Sequence, residues 1–261
     1  MLKRIVNITV WTTVQSLIGN ATSNALSSKL GTKVTIGRID LGFINRLIID
    51  DSQMLDQSGK QMLKVSRISV KISPLALAKG EIEITSAQFF GLKANLYKTT
   101  PEAKPNFQFV IDSLASKDTT KQSTPINLQI SSLILRHSDI RYRCLSKAGT
   151  RKIFSVDDID VRNISSHIIV DRITNDSLNI KVKRLSFKER CGLSVDHLSL
   201  HAVVGRTKAE LPYLEIKLPN SELLVKNIEA TYNIKDNTIE KKSLKYRGEI
   251  LSERFALPDL A

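Results

Sequence analysis

The chain has 261 residues, enough to bury a sizeable core without disulfides or metals, and its 41% hydrophobic and 25% charged residues exclude wholesale disorder and a multi-span membrane protein. Aromatics are only 5%, which suits long β-surfaces rather than a compact aromatic core. The excess of 39 Lys+Arg over 26 Asp+Glu gives +13 and favours anionic neighbours, without choosing among nucleic acid, lipopolysaccharide and acidic phospholipid headgroups.

Residues 1–31 open with two positive charges, followed by apolar residues interrupted by Asn7, Thr9, Thr12, Thr13 and Gln15. No apolar run approaches the ~20 residues that a spanning helix needs. Ile8, Trp11, Val14, Ile18, Ala21, Ala25 and Leu30 fall at helical intervals, so an amphipathic helix or truncated membrane anchor is expected, with Gly31 placed to end it. Such a helix either lies on a membrane surface, with Ile8, Trp11, Val14 and Ile18 nearest the membrane, or packs over the open end of a sheet.

From Thr32 onward the period is two, and apolar residues come as two pairs separated by a slip of one position. In a first β-unit, residues 32–100, these are Val34, Ile36, Ile39, Leu41; Leu63, Val65, Ile68, Val70; and Ile82, Ile84, Ala87, Phe89. In a second, 126–235, they are Leu128, Ile130, Leu133, Leu135; Ile180, Val182, Leu185, Phe187; Leu193, Val195, Leu198, Leu200; and Leu223, Val225, Ile228, Ala230. Side chains alternate along a strand, so the slip has two solutions: a β-bulge that keeps both pairs on one face, or a bend that carries the strand between two packed surfaces. Either gives a long, curved antiparallel sheet with one apolar and one polar face.

Asp56–Lys60, Asn175–Ser177 and Lys235–Asn237 read as polar turns between strands, and Pro74–Gly80 as one or two helical turns. Residues 101–125 read as a short helix over Phe107–Leu114 followed by a polar linker. Residues 236–261 read as a basic tail expected to continue into further β repeats of a longer protein.

No nucleotide-binding glycine loop, serine elbow or Cys-x-x-Cys pair occurs, and an enzyme is not expected. His197 and His201 lie four apart in an alternating segment, which separates them along a strand and leaves them facing solvent rather than a metal. Asp50-Asp51 and Asp157-Asp158-x-Asp160 read as solvated loop carboxylates. Cys144 and Cys191 form at most one bridge and can equally be free thiols. Nucleic-acid binding is disfavoured because aromatics are sparse and not interleaved with Arg. No metal or cofactor is expected.

The segments Leu30–Leu41, Asn45–Asp51, Asp56–Lys60, Leu63–Ile68, Pro74–Gly80 and Lys104–Phe109 resemble, in order, the start of TamB/AsmA-like proteins, the translocation and assembly module inner-membrane components of bridge-like lipid-transfer type. The resemblance covers residues 12–120 and extends more loosely into the second unit. It implies a β-taco or gutter-like sheet in the periplasm of a Gram-negative cell envelope, associated with the inner membrane through its amino-terminal helix. It also implies an apolar groove carrying phospholipid acyl chains toward the outer membrane, and partnership with an outer-membrane β-barrel assembly factor in outer-membrane biogenesis. On that reading Val34, Ile36, Val65, Ile82, Ile84, Ile130, Leu135, Ile180 and Val182 line the groove. The same periodicity fits a periplasmic scaffold or partner-binding module in which these residues form a closed, dry core.

Overall fold

The computed structural model describes residues 20, 23–24, 26–42, 45–73, 75, 82–115, 126–147, 154–173, 177–235, 238–239, 243–254 and 256. They form mostly strand. β1 (Val34–Thr35), β2 (Arg38–Gly42), β3 (Arg46–Leu55), β4 (Gln61–Ile72), β5 (Ile82–Phe90) and β6 (Lys93–Lys98) precede helix α1 (Gln108–Ala115). β7 (Ile126–Cys144), β8 (Asp158–Ile173), β9 (Ser177–Glu189), β10 (Ser194–Gly205), β11 (Lys208–Lys217) and β12 (Glu222–Thr231) follow. A small β13–β14 hairpin (Ile234–Lys235 and Thr238–Ile239) then precedes β15 (Lys245–Arg254). All but the hairpin belong to a single 13-stranded sheet, ordered β1-β3-β4-β5-β7-β8-β9-β10-β11-β12-β15, with β2 beside β3 and β6 between β4 and β7.

The sheet is mixed, not antiparallel throughout as the alternation had implied. β5 and β6 run on from one another, antiparallel to β4 on one side and parallel to β7 on the other, with pairs from Ile82↔Ile126 to Lys98↔Cys144 and a register shift after Ile84. A parallel neighbour cannot be reached through a tight hairpin and needs a crossover of a dozen or more residues. The 99–125 connection, which contains α1, is that crossover, so a break legible in the sequence interrupts the antiparallel alternation, keeping the strand direction, without ending the sheet. The sheet also extends past residue 235, because β15 lies within the stretch set apart as a basic tail.

The slip in the apolar pattern is resolved by bulges. In β9 Val182 faces Leu200 and Leu185 faces Leu198, so two residues intervene on β9 against one on β10 and both apolar pairs stay on one face. Register shifts fall at the corresponding slips of β5, β7, β10 and β12. In β4 the slip at Ser66 is matched by Asp51 on β3, a left-handed residue with φ 53°, so the register is preserved. These irregularities align across the sheet: Asp51, Gly91 (φ 61°), His137 (φ 49°) and Asn163 (φ 51°) make a row of left-handed residues from β3 to β8. Asn and Asp tolerate that conformation through their short polar side chains, and Gly without strain. The paired polar residues of each slip accordingly fall on the polar side.

A helical segment at 26–30 leads into β1 and ends where expected: Gly31 adopts φ 63°, and the Thr32 N–H donates to the Ser27 carbonyl at 3.2 Å. The hydroxyls of Ser23 and Ser27 accept the N–H groups of Ile36 and Val34, both at 2.8 Å, tying this segment to the sheet edge. The expected membrane-proximal residues Ile8, Trp11, Val14 and Ile18 lie outside the described residues.

Candidate functional site

Cross-strand partners share a face, so the register alone traces what each face presents. One row runs Leu41↔Leu47↔Val70↔Ala87↔Leu133↔Ile168 through β2, β3, β4, β5, β7 and β8. It continues Ile168↔Val182↔Leu200↔Leu214↔Val225↔Ile250 through β9 to β15, so every step across the sheet is apolar. The next row on that face passes Ile39, Ile49, Ile68, Phe89 and Leu135, is broken at Ser166, and resumes as Leu185, Leu198, Ile216 and Leu223. Leu41 and Ile250, at the two ends, are 82% and 73% exposed. Between them the larger side chains are half-buried, while Val70, Ala87, Val182 and Val225 are buried among their neighbours.

The predicted groove residues divide by environment. Ile84, Leu135, Ile180 and Val182 lie on these rows or beside them, facing Ile72, Phe89, Val170 and Ile168 respectively; the first three are half-buried and Val182 is buried. Val34, Ile36 and Val65 are buried at the β1–β4 end, where the helical segment meets the sheet, together with Met62. Ile82 and Ile130 occupy strand positions opposite Ile126 and within β7, and their side chains lie outside the described residues.

The opposite face is polar and held by ion pairs. Asp50 accepts from Arg38 at 2.9 Å and from Arg67 at 2.6 Å, and Asp160 from Arg141 at 2.6 Å and Arg162 at 3.0 Å. Arg190 binds Asp158 at 2.6 Å. The Arg67 hydrogen bond holds the Asp50 carboxyl below its usual range against the opposing effect of burial, with Arg38 adding to it. The Arg162 hydrogen bond, with that of Arg141, brings Asp160 to about 2. These carboxylates are therefore not the solvated loop groups their turn-like context implied. They sit inside β3 and β8, and the signal that could have found them was the arginine on each facing strand.

A second polar centre joins segments distant in sequence. Burial pushes the Asp56 carboxyl up, but Ser58, the Lys60 N–H, Tyr97 and Asn106 all donate to it and bring it down to about 2. Tyr97 Oη lies 2.8 Å from it, and Asn106 also receives the Tyr97 N–H at 3.0 Å and donates to the Asn95 carbonyl at 3.1 Å. The β3–β4 turn, β6 and the start of the crossover are thus locked together beside a cleft of about 570 Å3 lined by Leu30, Tyr97, Asn106 and Phe109.

His197 and His201 share β10 but have separate partners, Glu215 at 3.8 Å and Asn179 at 3.0 Å. Cys144 and Cys191 are free thiols. Among the described residues no group of three or more His, Cys, Asp or Glu is placed to hold a metal, and no helix is long and apolar enough to cross a membrane. Comparison of the chain with models of known protein families and with curated proteins finds no match.

Proposed function

We propose that the apolar face carries phospholipid acyl chains, as the resemblance to TamB/AsmA-like proteins implies, in the cell envelope of a Gram-negative bacterium. The observation that carries this reading is the unbroken apolar row from Leu41 to Ile250, half-exposed along much of its course. An acyl chain laid along it gains about 0.8 kcal/mol per methylene removed from water, with no directional bond to break as it moves. Bulges increase strand twist, and aligned rows of them favour a sheet curled into a gutter or β-taco around these rows. In this reading residues 1–31 associate with the inner membrane, the sheet passes lipid toward the outer membrane or supports protein assembly there with a β-barrel partner, and the chain performs no catalysis. The buried cluster Val34, Ile36, Met62 and Val65 favours a partner-binding scaffold role for the β1–β4 end alone.

The test is mass spectrometry of lipid co-purified with the wild-type chain, with a Leu135→Asp/Leu185→Asp variant, and with Gln88→Asp on the polar face. The double variant is expected to lose most of its lipid and Gln88→Asp to keep it. Equal lipid in all three, with the strand signature retained by circular dichroism, would sink the assignment.

A further inference from the structure

On the polar face between β3 and β9 the register sets like charges directly opposite one another three times: Arg46 faces Lys71, Lys64 faces Lys93, and Arg162 faces Lys188. Such pairs destabilise a sheet. The carboxylates of this region are already engaged: Asp50 by Arg38 and Arg67, Asp160 by Arg141 and Arg162, and Asp158 by Arg190. Asp139, opposite Lys93, accepts the Asn163 N–H at 3.0 Å. Lys64, Lys71, Lys93, Arg136, Arg184 and Lys188 are exposed and make no ion pair among the described residues. They span about 19 Å across the sheet from β4 to β9, and about 23 Å along it from Lys64 to Lys71. From β11 onward the same face pairs Lys208, Lys217 and Arg247 with glutamates, so the excess of positive charge is concentrated over β4–β9.

We propose that the polar face over β4–β9 docks on the anionic headgroups of a bilayer. Its unpaired cations form a two-dimensional field rather than a line or a closed pocket, and mobile phosphates in a membrane plane meet such a field without a fixed register. The repulsion between facing side chains, a cost within the chain, is relieved when phosphates lie between them. A single-stranded nucleic acid needs stacking rings instead. In the rows that hold these cations, the described residues between β4 and β9 offer one Phe, Tyr or Trp, the half-buried Phe90 between Arg67 and Arg136. The docking does not require the opposite face to carry lipid.

The experiment is co-sedimentation of the full chain with vesicles of phosphatidylglycerol and phosphatidylcholine in equal parts, and of phosphatidylcholine alone, at low and high salt. The wild type is expected to prefer the anionic vesicles and to lose that preference at high salt. Lys71→Glu/Lys93→Glu/Lys188→Glu turns the three repulsive pairs into attractive ones. It is expected to melt no lower than the wild type, yet to bind the anionic vesicles about a hundredfold more weakly. Lys29→Glu/Lys104→Glu/Lys245→Glu makes the same change in net charge at exposed positions outside β4–β9 and is expected to keep most of the binding. A wild type without the preference, a preference that survives high salt, a first triple variant that keeps it, or a second that loses as much overturns the proposal. So does tighter binding to a DNA duplex at equal phosphate concentration. Should the first variant fold poorly, Lys71→Gln/Lys93→Gln/Lys188→Gln decides, since it removes the repulsion without adding charge and an unchanged preference would exclude this face.

Discussion

Asp160 is 4% exposed within β8, yet ionised, because two guanidinium groups reach it across and along the sheet. Its carboxyl, hydrogen-bonded by Arg162 and Arg141, falls from 3.8 to about 2, so its contribution is present above about pH 4 and lost as pH falls through about 2. Asp56 falls to about 2 as well, through its hydrogen bonds and against burial, and adds to the same acid limb. Asp160→Asn is expected to cost about 2 kcal/mol at neutral pH and to flatten the loss of stability toward about pH 2, measured by urea denaturation across that range. The opposite sign is expected at Ser166. Its Oγ is buried without a hydrogen-bond partner in an otherwise apolar row, between Leu135 and Leu185, so Ser166→Ala should stabilise by about 1 kcal/mol in the same assay. At Asn163 the left-handed backbone decides. A β-branched Val there is expected to cost about 1–3 kcal/mol, and Gly much less.

At the scale of the element, the bulge is what makes a nine- to nineteen-residue strand amphipathic along its whole length. Deleting Lys183 from β9 would remove the bulge and leave Val182 and Leu185 two positions apart, so a regular strand would keep both on the apolar face opposite Leu200 and Leu198. We therefore expect the deletion to be tolerated, with a loss below about 2 kcal/mol by urea denaturation, and Lys183→Ser to change stability by less than about 0.5 kcal/mol. The slip itself was legible in the sequence, because Val182 and Leu185 cannot share a face of a regular strand. The choice between bulge and bend was not, since it rests on the neighbours Leu198 and Leu200, which no local pattern identifies as partners. Strand direction was hidden for a similar reason: Lys98 and Cys144 pair in parallel across 46 residues, and hydrophobic alternation is the same in either direction. The carboxylates were misread where chain neighbours resembled a turn and the deciding partner, Arg67 for Asp50 or Arg141 for Asp160, stood on another strand. Asn106 belongs with them. Asn106→Ala should release the crossover from Asp56 and β6, cost about 1–3 kcal/mol, and speed hydrogen exchange at the Tyr97 amide more than at β9 amides.

At the scale of the molecule, a wide sheet with one apolar face needs a partner for that face, since half-exposed Leu and Ile side chains have given up only part of their contact with water. The described elements make their substantial contacts with hydrogen-bonded neighbours within the sheet. Any added burial must then come from curling of the sheet, from another molecule, or from both. Acyl chains supply such burial without a fixed register, matching rows in which no single side chain dominates. A ligand that binds the folded chain and not the unfolded one stabilises it by about 2.7 kcal/mol at a hundredfold excess over its dissociation constant. For a chain of this length that corresponds to a rise in melting temperature of about 5–10 °C. We therefore expect short-chain phospholipid, added below its micellar concentration, to raise the melting temperature of the delipidated chain by this amount, measured by circular dichroism. The rise should be absent in Leu135→Asp/Leu185→Asp and retained in Gln88→Asp. A closed, dry core predicts no rise in any of the three, because rows already sealed against one another have no apolar surface left for the lipid to cover.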